Sequence, residues 1–208
     1  MKNFNPQEKY TLEDEVVVLR PLETTDFEHL LPISLAEPQL WQYSLTSAAG
    51  KEGLKTYLAQ AIAGRASAKE YPFVVFDKRT HQYAGSTRFY DIQLNHQCLQ
   101  LGYTWYGTSF HGTGLNKHCK FLMLQFAFEQ MDMERVEFRA DNNNAKSIAA
   151  MKSIGCTVEG ILRSNCQLPD GKRRDSIVLS ILKSEWNNSV KLKLGNALKN
   201  FSHSNLSK

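Results

Sequence analysis

Leu115 to Met131 is apolar nearly all the way round, with Phe121, Leu122, Met123, Leu124, Phe126, Ala127 and Phe128 crowded inside it. Read at helical periodicity, this segment has no polar face to leave in water, so the rest of the chain must cover it. Its densest part, Phe121 to Phe128, is interrupted by Gln125 and is far too short to cross a bilayer. The segment is expected to be the buried helix of a globular core. A chain of 208 residues supplies enough cover for one domain, hiding about 70% of its unfolded surface.

The elements around that helix are legible from their periods. Val16 to Leu22 is rich in β-branched residues and reads as a short strand, and Thr24, Thr25 and Asp26 offer caps for a helix running toward Pro32. Lys51 to Ser67 places Leu54, Leu58, Ala61 and Ile62 on one helical face. Tyr71 to Phe76, Tyr83 to Ile92 and Leu99 to Tyr106 read as three meandering strands. Beyond the buried helix come a strand at Arg135–Arg139, a helix from Asn144 to Ile154 with Gly155 at its C-cap, and strands Thr157–Leu162 and Ser176–Leu182 joined through Pro169-Asp170-Gly171. This order predicts an α/β (α+β) fold: a mixed, mostly antiparallel sheet of about seven strands with helices on both faces. Residues 1–186 are expected to form one domain. Residues 187–208 form a basic amphipathic tail, read as a docked helix or as a surface for a membrane or partner.

Charge and composition narrow the function. Net charge is +4, but Lys191, Lys193, Lys199 and Lys208 of the tail account for all of it, leaving 21 basic against 21 acidic residues. The body lacks the basic bias of a nucleic-acid binder. The opening residues carry no secretory signal, which makes a cytoplasmic location the expectation. Cys98, Cys119, Cys156 and Cys166 are scattered, as buried thiols would be, and the six histidines show no metal-ligand spacing, so no metal is expected. Neither H-E-x-x-H nor G-x-S-x-G occurs.

The chemistry concentrates between a strand and the buried helix, at Gly107-Thr108-Ser109-Phe110-His111-Gly112-Thr113-Gly114-Leu115-Asn116-Lys117. A helix start presents unpaired N–H groups and a positive dipole end, and glycines let an anion approach the backbone. A phosphate site or a glycine-softened turn into a core helix both satisfy this pattern. It is not a Walker loop, because Thr113 stands where the lysine belongs, and it is not G-x-G-x-x-G, because Lys117 occupies the third glycine position.

His111 to Asn116 resembles the R/Q-x-x-G-x-G/A acetyl-CoA loop of the GNAT superfamily. Asn144-Ala145-Lys146-Ser147, Lys152-Ser153-Ile154-Gly155 and Glu159-Gly160 are similar, in order and spacing, to the N-x-x-S, K-x-x-G and E-G pattern of its RimJ and RimL ribosomal-protein branch. The likeness covers roughly Val16 to Trp186. It implies an N-acetyltransferase that moves the acetyl group of acetyl-CoA directly to a primary amine, either a protein N-terminus or a small molecule. A coenzyme A binding or sensing module without turnover is the alternative. Departures are His111 for the usual Arg or Gln, Asn116 for a small residue, Met151 where many members carry a tyrosine acid, and Cys166 where the ribosomal enzymes carry a carboxylate.

The resemblance further implies a set of roles. His111, Gly112, Thr113, Gly114, Leu115, Asn116 and Lys117 would hold the pyrophosphate, the strand around Trp105 and Tyr106 the pantetheine arm, and Asn144, Ser147 and Lys152 further parts of the cofactor. Ser147 would help protonate the departing thiolate, and Glu159 would act as a base. Asn144 reads equally as a helix cap, Ser147 as a solvent-facing helix residue and Glu159 as an ion-pair partner. Acceptor contacts are expected from Trp41, Tyr43, Arg88 and Tyr90, although Trp41 and Tyr43 could serve as core aromatics. An α-amino group, with a pKa of about 8, is partly neutral at physiological pH, whereas a lysine near 10.4 is almost wholly charged. No nucleic-acid or membrane partner is expected, and a homodimer is left open.

Overall fold

The computed structural model describes residues 4–168 and 171–204. Its centre is an eight-stranded sheet in the order β1-β2-β3-β4-β5-β6-β8-β7. The strands are β1 (Leu12–Glu13), β2 (Val17–Pro21), β3 (Tyr71–Asp77), β4 (Gln82–Gln93), β5 (Cys98–Tyr106), β6 (Arg135–Asp141), β7 (Thr157–Gln167) and β8 (Arg173–Leu182). Every neighbouring pair is antiparallel except β5 and β6. The strand beyond the expected seven is β1: two residues with one buried side chain, Leu12, offer no period to detect.

Helices cover both faces. On one lie α1 (Phe27–Ala36) and α2 (Gly50–Ala66), packed with Trp41, Val74 and Trp105 into a core of their own. On the other lie α3 (Leu115–Gln125), which continues as a π-turn at Phe126–Gln130, and α4 (Ala145–Ser153). The segment Leu115–Met131 is buried as its composition requires, with Leu115, Cys119, Met123, Leu124 and Ala127 fully enclosed. His118, also on α3, is tied to the β1–β2 connection by a 2.7 Å contact from Nδ1 to Asp14.

Several boundaries differ from expectation for physical reasons. The first helix starts with a 3₁₀ turn at Thr24–Asp26 and runs through Pro32, where the buried Asp26 is held by Arg20 and by the Glu23 N–H. Strand β7 extends to Gln167 although its side chains are almost all exposed, Ile161 at 48%. An edge strand with neither face packed shows no alternation of burial. The Pro169-Asp170 part of the turn after it lies outside the described residues. Cys119 and Cys156 are buried, but Cys98 and Cys166 are only partly so, which corrects the expectation of four buried thiols.

The chain ends in α5 (Lys183–Glu185), a π-turn at Trp186–Val190, and α6 (Lys191–Ser204). Trp186 is fully buried against Phe121 and Phe128, its indole N–H donating to Glu129 at 3.0 Å, and Val190, Leu194 and Leu198 are buried with it. Among the described residues no helix is long and apolar enough to cross a membrane.

Candidate functional site

The ladder between β5 and β6 is short. Cys98, Leu99 and Gln100 pair with Arg135, Val136 and Glu137, and pairing goes no further. Beyond it Leu101–Tyr106 stays bonded to β4 alone and Phe138–Asp141 to β8 alone. Two parallel strands that start paired and then part leave a wedge in the sheet, with unladdered backbone groups on each lip. A bulge shapes the β5 lip: the β4–β5 register shifts between Ser86 and Arg88, and Tyr103 takes φ +49°.

The glycine loop leads from the open end of that wedge into α3. Gly112 and Gly114 both have positive φ, +77° and +86°, and Gly114 caps the helix. A Cβ at Gly112 would meet no atom within 4 Å, so the outer side of the loop is open. In the first turn of α3 the Lys117 N–H bonds the Gly114 carbonyl at 2.9 Å and the Leu115 N–H reaches the Thr113 hydroxyl at 3.4 Å, which leaves the Asn116 N–H at the open end of the helix. Thr113 braces the turn through a 2.8 Å bond from its hydroxyl to the Phe110 carbonyl. A positive charge stands beside it: Arg79, on the β3–β4 hairpin, donates to the Thr113 carbonyl at 3.0 Å. Asp77 holds one edge of the same guanidinium with both carboxylate oxygens, at 3.0 and 2.7 Å. These features fit a pyrophosphate: an open backbone donor, a helix dipole and an oriented cation.

His111 joins the loop to its surroundings. One ring nitrogen, Nε2, donates to the Tyr106 carbonyl on β5 at 2.9 Å, while Nδ1 accepts from Lys146 Nζ on α4 at 2.8 Å. The start of α4 is thereby fixed beside the loop. Asn144 is its N-cap, accepting from the Ser147 N–H at 3.0 Å, and Ser147 lies half-buried in the first turn. Leu115 is fully buried in the core, and Asn116 and Lys117 are partly exposed in the first turn of α3.

On the opposite face three of the expected acceptor residues, Trp41, Arg88 and Tyr90, gather around β5, while Tyr43 is held from β8. Trp41 packs edge-on against Trp105 at 5.1 Å between ring centroids. Arg174 donates to the Tyr43 carbonyl at 3.2 Å. Arg88 is buried over the rings of Tyr57 and Tyr103 and paired with Glu70 at 2.6 Å. Tyr90 meets Tyr103 edge-on, and burial pushes its phenol above the usual tyrosine range. The indole N–H groups of Trp41 and Trp105 are buried there without a protein acceptor. Tyr106 points the other way, its phenol beside Cys119 and raised by burial.

Two expected residues are not brought to the wedge. Glu159 lies at its closed end, where Arg135 grips the carboxylate, with Oε2 at 2.7 Å, and Ser180 adds a 2.6 Å bond. The Arg135 bonds hold Glu159 below the ordinary carboxylate range, the opposite of what a base needs. Lys152 is exposed at the far end of α4, about 12 Å along the axis from Asn144 at 1.5 Å per residue. Its carbonyl accepts the Gly155 N–H, and its K-x-x-G setting thus ends the helix. Met151, in place of a tyrosine, is buried in the core. Arg79 escaped the sequence reading because a hairpin residue 34 positions before Thr113 carries no local sign of the loop it touches.

Residues 17–157 match the model of the acetyltransferase (GNAT) domain family. The chain belongs to the GNAT acetyltransferases. This GNAT protein is 25% identical over 177 residues to the Bacillus subtilis protein named Probable N-acetyltransferase YjcK, a likeness covering 82% of this chain and 96% of YjcK. Its fold is similar to that of a GCN5-related N-acetyltransferase from Brucella melitensis, with TM-score 0.84 and 24% identity over 93% of this chain and 87% of that one. It is also similar to Mycobacterium smegmatis RimJ solved with CoA-disulfide, with TM-score 0.77 and 21% identity over 92% and 95% of the two chains.

Proposed function

We propose that this chain transfers the acetyl group of acetyl-CoA directly to a primary amine, either a protein N-terminus or a small molecule, in the cytoplasm. One observation carries the reading: the β5–β6 ladder ends at Gln100 and Glu137, opening a wedge that leads from the glycine loop. When bound, acetyl-CoA supplies an activated acyl group with a thiolate leaving group. The residues His111 to Lys117 would hold its pyrophosphate with Arg79 alongside, the free edge of β5 around Trp105 and Tyr106 its pantetheine arm, and Asn144 and Ser147 the end nearest α4. The Ser147 hydroxyl, directly or through water, would supply a proton to the departing sulfur. Trp41, Tyr43, Arg88 and Tyr90 would meet the acceptor on the α1/α2 face.

The test is calorimetry with coenzyme A together with thiol release from acetyl-CoA across a panel of amines. Gly112→Val and Gly114→Val should each weaken coenzyme A binding in a folded protein, because both positions have positive φ and a side chain would obstruct the anion. Unchanged affinity in both would overturn the loop assignment. Thermal stabilisation by coenzyme A with no amine-dependent thiol release would overturn the enzymatic reading.

A further inference from the structure

Lys120 sits in the apolar helix α3 and is 5% exposed. Its Nζ bonds two neutral hydroxyls, Thr104 at 2.7 Å and Thr87 at 3.3 Å, and those hydroxyls lie 2.7 Å from each other. Thr104 belongs to the unladdered lip of β5, next to the bulge at Tyr103, and is only half-buried. The lysine is thus enclosed, but the hydroxyl it holds borders the wedge. Its ionisable neighbours are Cys119 on α3 and Cys156 at the α4–β7 link, both pushed up to about 12 by burial, with the raised Tyr106 phenol beyond Cys119. None of these carries a counter-charge at neutral pH. An ammonium enclosed by neutral groups is costly, and an apolar side chain would fill the space without that cost.

We propose that Lys120, acting through the Thr104 hydroxyl, takes up the proton released by the acceptor amine in acetyl transfer, an inference that rests on the function proposed above. The acceptor nitrogen bonds to the acetyl carbon, the carbon–sulfur bond breaks, and the nitrogen's proton passes by Thr104 to the neutral Lys120 amine. The departing sulfur takes up a proton beside Ser147, and Lys120 returns its own to solvent, so the proton count closes and the lysine ends neutral. Burial lowers the Lys120 amine to about 7, so that it is substantially neutral at physiological pH and still basic enough to accept. With Glu159 locked to Arg135, Lys120 supplies the base that the carboxylate positions lack.

The experiment compares wild type, Lys120→Met, Lys120→Arg and Thr104→Val in acetyl-CoA thiol release at saturating acceptor from pH 5.5 to 10. Glycinamide and ethylamine serve as acceptor probes of different basicity. Wild type should show an acid limb breaking near pH 7 that stays in place when the probe is changed. Lys120→Met and Thr104→Val should each lose about 10²-fold in kcat, and Lys120→Met should lose that limb. Arg at position 120 keeps donors to both hydroxyls but remains charged at every pH, so it should restore folding without activity. Recovery of activity by Lys120→Arg, or an unaltered pH profile in Lys120→Met, would overturn the proposal. A second readout needs no turnover: NMR titration of lysine labelled at the ε-carbon, with the Lys120 signal assigned from Lys120→Met. A midpoint near 7 that moves on adding coenzyme A supports the proposal, and one near 10 or indifferent to coenzyme A refutes it. Absence of thiol release with every amine would instead count against the acetyltransferase reading.

Discussion

Lys146 donates to His111 Nδ1 at 2.8 Å, and this bond decides the state of the ring that latches the cofactor loop to the sheet. With Nδ1 accepting, Nε2 must carry the proton that reaches the Tyr106 carbonyl at 2.9 Å. The α4 lysine, the loop histidine and the β5 backbone therefore act as one unit holding the wedge mouth in shape.

A unit of this kind should show coupling. His111→Ala and Lys146→Met are each expected to weaken coenzyme A binding about tenfold, the value of one polar contact. The double variant should lose little more than either single one, giving a coupling energy of about 1 kcal/mol. Calorimetry on all four proteins measures it. Strict additivity would mean that Lys146 and His111 contribute separately and that the latch is not shared.

Gly85 on β4 has φ +153°, and a Cβ there would lie 2.0 Å from the Trp105 carbonyl oxygen. Backbone atoms on a paired strand cannot move aside cheaply, so Gly85→Ala should cost about 3 kcal/mol or more in denaturant unfolding. Gly160→Ala is the matched control, since a Cβ at that exposed strand position meets nothing within 4 Å. Similar midpoints for the two variants would mean that β4 and β5 are not closely apposed at Trp105.

The division between what could be read from residues alone and what could not follows the reach of the signals. The helix at Leu115 was legible because its apolar residues are contiguous, and the α4 start because Asn144 caps locally through the Ser147 N–H. The wedge itself left no mark: where the β5–β6 ladder stops is a property of two strands separated by a helix, not of either strand. Arg79 was invisible for the same reason. For Glu159 the residues alone leave a base and an ion-pair partner equally open, because its motif position says nothing of Arg135 on β6. Lys120 left only a weak trace: it is in phase with the buried positions Leu124 and Ala127, four and seven residues on, but Lys117, one turn earlier in the same helix, shares that phase.

Lys120 also predicts how stability depends on pH. Its folded pKa of about 7 lies below the unfolded value of 10.5, so between those limits the unfolded chain binds the extra proton. Stability should therefore rise with pH across that window, with a slope approaching about 1.4 kcal/mol per pH unit from this group, and the cost of the buried charge should be fully present below pH 7. Lys120→Met removes the term. Relative to wild type it should gain most at pH 6 and least at pH 10 in chemical denaturation. Parallel curves for the two proteins would mean that Lys120 keeps an ordinary pKa in the folded state.

Ser147 places a hydroxyl in the first turn of α4, whereas Met151, at the usual tyrosine position, has a side chain that faces the core. The Ser147 backbone N–H is taken by Asn144, which fixes the residue in the first helical turn and leaves the hydroxyl to act outward. If that hydroxyl delivers the proton to the departing sulfur, Ser147→Ala should lower kcat by about 10²-fold with little change in coenzyme A affinity. Ser153→Ala is the control: its hydroxyl donates to the Ala150 carbonyl at 2.8 Å within the same helix, at the end away from the loop, and its loss should matter little. The two serines share a helix and differ in which end of it they occupy. Equal kcat for Ser147→Ala and the parent from pH 6 to 9 would show that water protonates the sulfur unaided. Catalysis would then rest on proximity and on the donors of the β5 lip.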